Sequence, residues 1–328
     1  MRLAFLGMWH AHAHGMARQV AAHPDEFELL GGWDPSPEVL TDRAAQWRQM
    51  LGSFEVFSGP QEVLSAPVDG VLVEGQVYDN IALARQALEA GLPVLLEKPL
   101  GTDVAAAEAL QKLAQERGLH LQMAYLFRYM SAVRALEKEF RAGNLGDIYH
   151  FRARLPKDLP TYDFFADQLK PYPGGVFFEM AGHAVDIMVR LLGRPKRVQS
   201  FLAHHHSSGP QAYVDNGLAV FEFERAWGTV EVPAMEVVPG GRRFEVYGTT
   251  GGCVIPNLGS GHLANEPVQV LEICRDGTWE KSELPSATLQ ITDLREFAAC
   301  VRGEKAPDYD MEHDAIVQRA LVEASGML

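Results

Sequence analysis

Two stretches hold side chains whose type and spacing suit chemistry. In the first, an apolar run from Pro93 to Leu96 ends abruptly in Glu97, Lys98 and Pro99. Continuous hydrophobic runs of this length read as buried strands of a parallel sheet, and ligands of such sheets gather at the strands' carboxyl ends. Lys98 is therefore expected at the rim of a crevice. Pro99 fixes its own φ and restricts the backbone of Lys98, so the ammonium is delivered in a defined direction. In the second stretch, Glu179, His183 and Asp186 fall at i, i+4 and i+7 of an otherwise apolar segment with helical spacing. They share one helix face. An imidazole one turn from a carboxylate can exchange protons near neutrality.

The elements that must position them alternate in type. Strands are expected at Arg2–Leu6, Phe27–Trp33, Phe54–Phe57, Val71–Val73, Val94–Leu96 and His120–Ala124, with helices between them. One of these helices is capped by Asp103 and stopped by Gly118. This pattern specifies right-handed crossovers and a Rossmann-type, doubly wound parallel sheet, an α/β domain of residues 1–124. From Ile148 the period changes to that of strands, interrupted by the Glu179–Asp186 helix. The expectation for 125–328 is an α+β domain with a large, mainly antiparallel sheet, hairpin turns at Gly240-Gly241 and Asp276-Gly277, and two closing helices, Ile291–Val301 and Met311–Ser325. A proline- and aromatic-rich loop spans Pro156–Pro173 and includes Tyr162, Phe164, Phe165 and Tyr172. Loops this long in a compact domain are usually functional.

Bulk properties narrow the partners. Acidic residues outnumber basic ones, 43 to 29, for a formal charge of −14 in 328 residues. That opposes nucleic acid and anionic membranes as partners. No apolar run reaches the roughly 20 residues that span a bilayer, and Met1–Gly7 reads as a first strand and not as a secretory signal. Cys253, Cys274 and Cys300 lie far apart without metal-type spacing. A reduced, cytoplasmic setting is expected.

In a doubly wound domain the first strand-to-helix turn holds a pyrophosphate on backbone N–H groups, usually through G-x-G-x-x-G. Here only Gly7 is present, and Trp9 and His12 occupy the other two positions. Asp34 ends the second strand, where a carboxylate accepts from the adenine ribose hydroxyls. No arginine follows closely to meet a 2′-phosphate, which favours NAD over NADP. His10, His12 and His14 alternate along this turn. At a helix start alternate residues fan out, so convergence on one ion is not expected, and no metal is assigned. His10 and His12 are expected to line the cofactor loop as neutral donors. His204-His205-His206 reads as a strand end running into the turn at Ser207–Pro210.

Together the two stretches resemble the Gfo/Idh/MocA family of NAD(P)-dependent oxidoreductases over nearly the whole chain. The resemblance rests on Val68–Val73, on Ala87–Leu100 with its Leu-Glu-Ala-Gly and Glu-Lys-Pro blocks, on Gly174-Gly175 through Asp186, and on Phe244–Gly252. It implies that Lys98 lies beside the nicotinamide and the reacting carbinol, that His183 is the catalytic histidine, and that Glu179 matches the family's usual aspartate. The catalytic set is then Lys98, His183 and Glu179. Gly7, Trp9, His10, His12, Asp34, Glu74, Gln76, Glu97, Lys98 and Pro99 would bind NAD, with NADP possible. Lys98, Arg128, Tyr162, Glu179 and His183 would bind substrate. The substrate implied is a sugar, inositol or similar polyol, and the assembly a homodimer or homotetramer through the C-terminal sheet. The sequence departs from the family at the glycine loop and at Glu74–Asn80, where a small residue and Pro-Asn-x-x-His are usual; Glu74 would repel cofactor phosphates if it faced them. Those departures motivate an alternative, a non-catalytic nucleotide- or metabolite-binding member. A third reading is a metal-dependent barrel hydrolase using His10, His12 and His14.

Overall fold

A computed structural model describes residues 1–158, 169–206, 213–237, 241–258 and 267–328. The chain forms two compact units, Met1–Tyr125 with Thr288–Ala315, and Leu126–Ala287 with Ile316–Leu328.

The first unit is built on a parallel sheet of β1 (Arg2–Leu6), β2 (Glu28–Trp33), β3 (Glu55–Val56), β4 (Gly70–Val73), β5 (Val94–Leu96) and β6 (Leu121–Met123). The order is β3-β2-β1-β4-β5-β6, so the strand order reverses between β1 and β4, the place where such sheets bind dinucleotides. Helices α1 (Ala11–Ala22), α2 (Pro37–Leu51), α3 (Pro60–Ser65), α4 (Val77–Glu89) and α5 (Val104–Arg117) connect the strands. β4 and β5 are buried along their whole length, as an apolar run between two helical layers must be. Asp103 caps α5 by accepting from the Ala106 N–H at 3.0 Å, and Gly118 ends it in the left-handed region.

A later segment joins this unit. Helix α8 (Leu289–Val301) buries Ile291, Leu294, Phe297 and Ala298, and packs on α1. Its buried Asp293 accepts two bonds from the Gln122 side chain, at 3.1 Å on the carbonyl and 2.7 Å on Oδ1. The chain thus leaves the first compact unit after Tyr125 and returns to it at Thr288. Thr288–Ala315 belongs with the first, because α8 finds its apolar partner there and not next to it in sequence.

The second unit begins with a 3₁₀ turn at Leu126–Tyr129 and α6 (Ser131–Arg141). Its eight-stranded sheet comprises β7 (Ile148–Arg154), β8 (Arg197–Ala203), β9 (Asn216–Glu222), β10 (Trp227–Pro233), β11 (Arg243–Gly248), β12 (Gly251–Ile255), β13 (Val268–Arg275) and β14 (Thr278–Pro285), in the order β14-β13-β12-β11-β7-β10-β9-β8. All neighbours are antiparallel except β7 and β10. Asp276 (φ 50) and Gly277 (φ 77) form the tight turn between β13 and β14. Helix α7 (Gly175–Leu192), nearly all of it buried, packs against β7, β9 and β10. The last helix, α9, covers Met311–Ala324. The expected turn at Ser207–Pro210, Gly240 of the Gly240-Gly241 turn, and Tyr162, Phe164 and Phe165 of the long loop lie outside the described residues.

Among those residues no helix is long and apolar enough to cross a membrane. The described residues form two open sheets, neither of them closed into the barrel of a metal-dependent hydrolase.

Candidate functional site

Four strand ends of the first unit carry the residues expected to bind a cofactor. After β1 the chain turns at Gly7 (φ 90), where a Cβ would lie 2.9 Å from the backbone of Gly75. Only glycine permits that backbone and that approach. The turn is strapped to the end of β4, since the His10 N–H donates to the Glu74 carbonyl at 2.8 Å and the Glu74 N–H to the Gly7 carbonyl at 3.3 Å. Asp34, just past β2, is buried and accepts from the Met8 N–H at 2.6 Å and the Ser36 N–H at 2.8 Å. Burial pushes its carboxyl above the usual aspartate range against those bonds. With a third backbone bond from Trp9, acceptor capacity for one ribose hydroxyl remains on the carboxylate.

His10 caps α1: its Nδ1 accepts the His12 N–H at 3.2 Å. Three amides near the turn, those of Met8, His10 and His12, are thus held by Asp34, Glu74 and His10 themselves. This explains how the turn holds its shape without the second and third glycines. It also corrects an expectation. His10 precedes the helix in extended conformation (φ −65, ψ 147), so its ring and that of His12 do not fan out but meet edge to face, centroids 4.5 Å apart. His14 does fan away and accepts from the Trp47 indole at 3.1 Å.

Glu97 faces the two imidazoles, with Oε2 2.9 Å from His12 Nδ1 and 3.7 Å from His10 Nδ1. Burial alone would raise its carboxyl, yet His10, His12 and Lys98 hold it below the usual range. Glu74 stands 3.7 Å from the same His10 nitrogen and, buried and repelled by Glu97, is pushed well above it. Its side chain is thus committed to this cluster. Lys98 is 2% exposed at the end of β5, and the peptide bond to Pro99 is cis. Trp9, half-buried, lies beside His10. Gln76 is the N-cap residue of α4, and its Oε1, like both amide atoms of Asn80, is buried without a hydrogen-bond partner. Such orphaned polar atoms beside the Gly7 turn suit a polyhydroxylated, phosphate-bearing ligand, and with Asp34 they make this set fit a dinucleotide. Sequence reasoning missed Asn80, whose only signal is a polar residue on the inner face of α4.

In the second unit, α7 carries the other set. His183 is 5% exposed and stacks on Phe127, centroids 4.3 Å apart and planes 13° apart. Arg242 lies over the same Phe127 ring, 5.7 Å from its centroid. Glu179 sits one turn earlier, half-buried. Arg128, expected among the substrate-binding residues, also has a partner within the fold. It forks onto the buried Asp186 of α7, with Nε–Oδ2 2.9 Å and Nη2–Oδ1 2.6 Å. The 3₁₀ turn that carries Arg128 thereby sets Phe127 against His183. Phe127 had no signal in the spacing.

Comparison with known proteins agrees with this geometry. Residues 1–125 match the oxidoreductase family with an NAD-binding Rossmann fold, and residues 133–254 match the GFO/IDH/MocA C-terminal domain. The rhizopine catabolism protein MocA of Rhizobium meliloti is 30% identical over 39% of this chain and 39% of its own length. The dTDP-3,4-didehydro-2,6-dideoxy-alpha-D-glucose 3-reductase of Actinomadura kijaniata is 25% identical over 86% of this chain and 83% of its own. The solved UDP-N-acetylglucosamine 3-dehydrogenase GnnA from Acidithiobacillus ferrooxidans superposes with a TM-score of 0.79 at 20% identity, covering 100% of this chain and 97% of that one. A conserved fold alone would not fix an activity. The matches to both domains, with a dinucleotide-type sheet in the first unit, show that this chain belongs to the Gfo/Idh/MocA family of NAD(P)-binding oxidoreductases.

Proposed function

We propose that the protein is a dehydrogenase or reductase that interconverts a carbinol and a carbonyl on a sugar, inositol or related polyol, with NAD as the preferred cofactor. The observation that carries this is the buried Lys98 at the carboxyl end of β5 in a dinucleotide-type sheet. The names of the reductase and the dehydrogenase above, both acting at position 3 of a nucleotide-linked sugar, support the substrate class. Asp34 at the end of β2, with no arginine in the residues that follow it closely, supports NAD over NADP.

Bound NAD(P) supplies the hydride acceptor or donor. Lys98 hydrogen-bonds the reacting oxygen and stabilises the negative charge that develops there. His183, held flat by Phe127, takes the hydroxyl proton during oxidation and returns it during reduction. Glu179 orients neighbouring hydroxyls or the imidazole. Asp34 holds the adenine ribose; Gln76 and Asn80 engage polar groups nearer the turn. We assign Arg128 to positioning the 3₁₀ turn, given its fork to Asp186. In this proposal the enzyme works in the reducing cytoplasm and assembles through the outer face of its larger sheet.

One observation favours a second reading, a member that binds nucleotide or metabolite without turnover: the Met8, His10 and His12 amides are already occupied by the protein's own groups. Melting curves with and without NAD(H) and NADP(H), followed by assays over a panel of polyols and nucleotide sugars, separate the two. A shift with NAD(H) and turnover of at least one polyol is expected, since saturating ligand stabilises by RT ln(1 + [L]/Kd). A shift without turnover favours the second reading, and no shift with either cofactor overturns the first.

A further inference from the structure

Hydride transfer leaves one cluster without a task. His10, His12 and Glu97 each present a ligand atom, all within 4.8 Å of one another. Glu74 adds a second carboxylate, 3.7 Å from His10 Nδ1. Glu74 and Glu97 are 0% and 1% exposed. Neither oxygen of Glu74, nor Oε1 of Glu97, makes a hydrogen bond. As two carboxylates they offer acceptors and no donor to each other. Lys98, the next residue in the chain, is a cation whose field acts on both carboxyls. A buried carboxylate oxygen left without a hydrogen bond is destabilising unless a proton or a cation joins it.

From this geometry we infer a divalent transition-metal site formed by His10, His12 and Glu97, with Glu74 as the fourth donor. Imidazole and carboxylate are the donor set of Zn²⁺ and its first-row neighbours, not of Mg²⁺ or Ca²⁺. A tetrahedral site with metal–ligand bonds near 2.1 Å spaces its donors about 3.4 Å apart. The spacings of 2.9 and 3.7 Å to Glu97 Oε2 bracket that value. The cation competes with the 3.2 Å cap bond for His10 Nδ1, a bond already at the long end of its range. It would tie the turn after β1 to the ends of β4 and β5. The inference does not rest on the hydride-transfer reading, because it needs neither cofactor nor substrate.

The test uses the full-length protein, stripped with a chelator and dialysed against Zn²⁺ or Co²⁺. The expected result is one equivalent of metal per chain by elemental analysis, a visible Co²⁺ absorption band, and a raised Tm. In His12→Asn, a half-buried position suited to replacement, binding should weaken by more than the roughly 10–100-fold that loss of an outer-shell partner costs. His14→Asn should retain it, since His14 points to Trp47. Should His12→Asn lose its fold by circular dichroism, His10→Gln serves in its place. Sub-stoichiometric metal, or metal retained in the folded His12→Asn and His10→Gln proteins, overturns the site. So does a protonated carboxyl band in the infrared of the Zn²⁺-dialysed protein that disappears in Glu74→Gln, which would show a proton holding the two carboxylates together.

Discussion

At the scale of the residue, the imidazole of His183 is the group whose loss is easiest to interpret. His183→Asn preserves volume and one donor while removing proton exchange. It is expected to lower kcat by about 10²–10⁴-fold, the usual worth of a general acid–base. The melting shift with NAD(H) should remain, since His183 belongs to the second unit. Equal loss of cofactor binding and turnover would refute the assignment. Asp34 carries a pH prediction. Its carboxylate must be ionised to accept from ribose, and burial raises its pKa, so protonation begins at a higher pH than for an ordinary aspartate. NAD affinity should therefore fall on acidification with a midpoint above the usual aspartate range. Asp34→Asn should weaken binding about 10–100-fold, as loss of charged hydrogen bonds implies, and flatten that dependence. Titration calorimetry across pH checks both. The places of Lys98, His183 and Asp34 in the fold could be read from sequence because each sits at a fixed offset from a strand end or along a helix. The meeting of His10 with His12 could not, because it depends on the extended ψ of an N-cap residue that is not yet helical.

At the scale of the element, α7 and the 3₁₀ turn at Leu126–Tyr129 are held together by the Arg128–Asp186 fork. Both partners are almost fully buried. Replacing Arg128 by Met takes the guanidinium away from the buried Asp186 carboxylate, which should cost about 3–5 kcal/mol in denaturant unfolding. The double variant Arg128→Met, Asp186→Leu should recover most of that stability and yet turn over slowly, because Phe127 no longer has its anchor beside His183. Additive destabilisation in the double variant would show that the pair does not act as one. Elements were legible where periodicity was long or bounded by caps, as for α5 between Asp103 and Gly118, and all six strands of the first sheet were placed from such signals. β12 escaped because it opens with Gly251-Gly252, which reads as a turn. The membership of α8 escaped for another reason: nothing local tells an amphipathic helix which of two cores it will join, and the Gln122–Asp293 bond spans 171 positions.

At the scale of the whole molecule, the larger sheet has unlike faces. Gly217, Ala219, Phe221, Val230 and Val232 point to the buried side. Phe201, paired with Leu218, and Trp227, paired with Glu222, point the other way, 59% and 50% exposed. Around them Arg152 pairs with Glu231, and Arg154 with Glu236. A partly apolar surface rimmed by paired charges is the composition of a protein contact, and a stable one needs about 600–1,000 Å² from each partner. A formal charge of −14 works against self-association, so attraction must come from the apolar part of this face. The expectation is a dimer or tetramer by light scattering at micromolar concentration. Phe201→Asp with Trp227→Asp should shift it to monomer, because a like-charged, hydrated carboxylate is placed where apolar area is to be covered. The melting shift with NAD(H) should survive, since both positions lie outside the first unit. A monomeric wild-type protein, or an oligomer untouched by the double substitution, would place the subunit contact elsewhere.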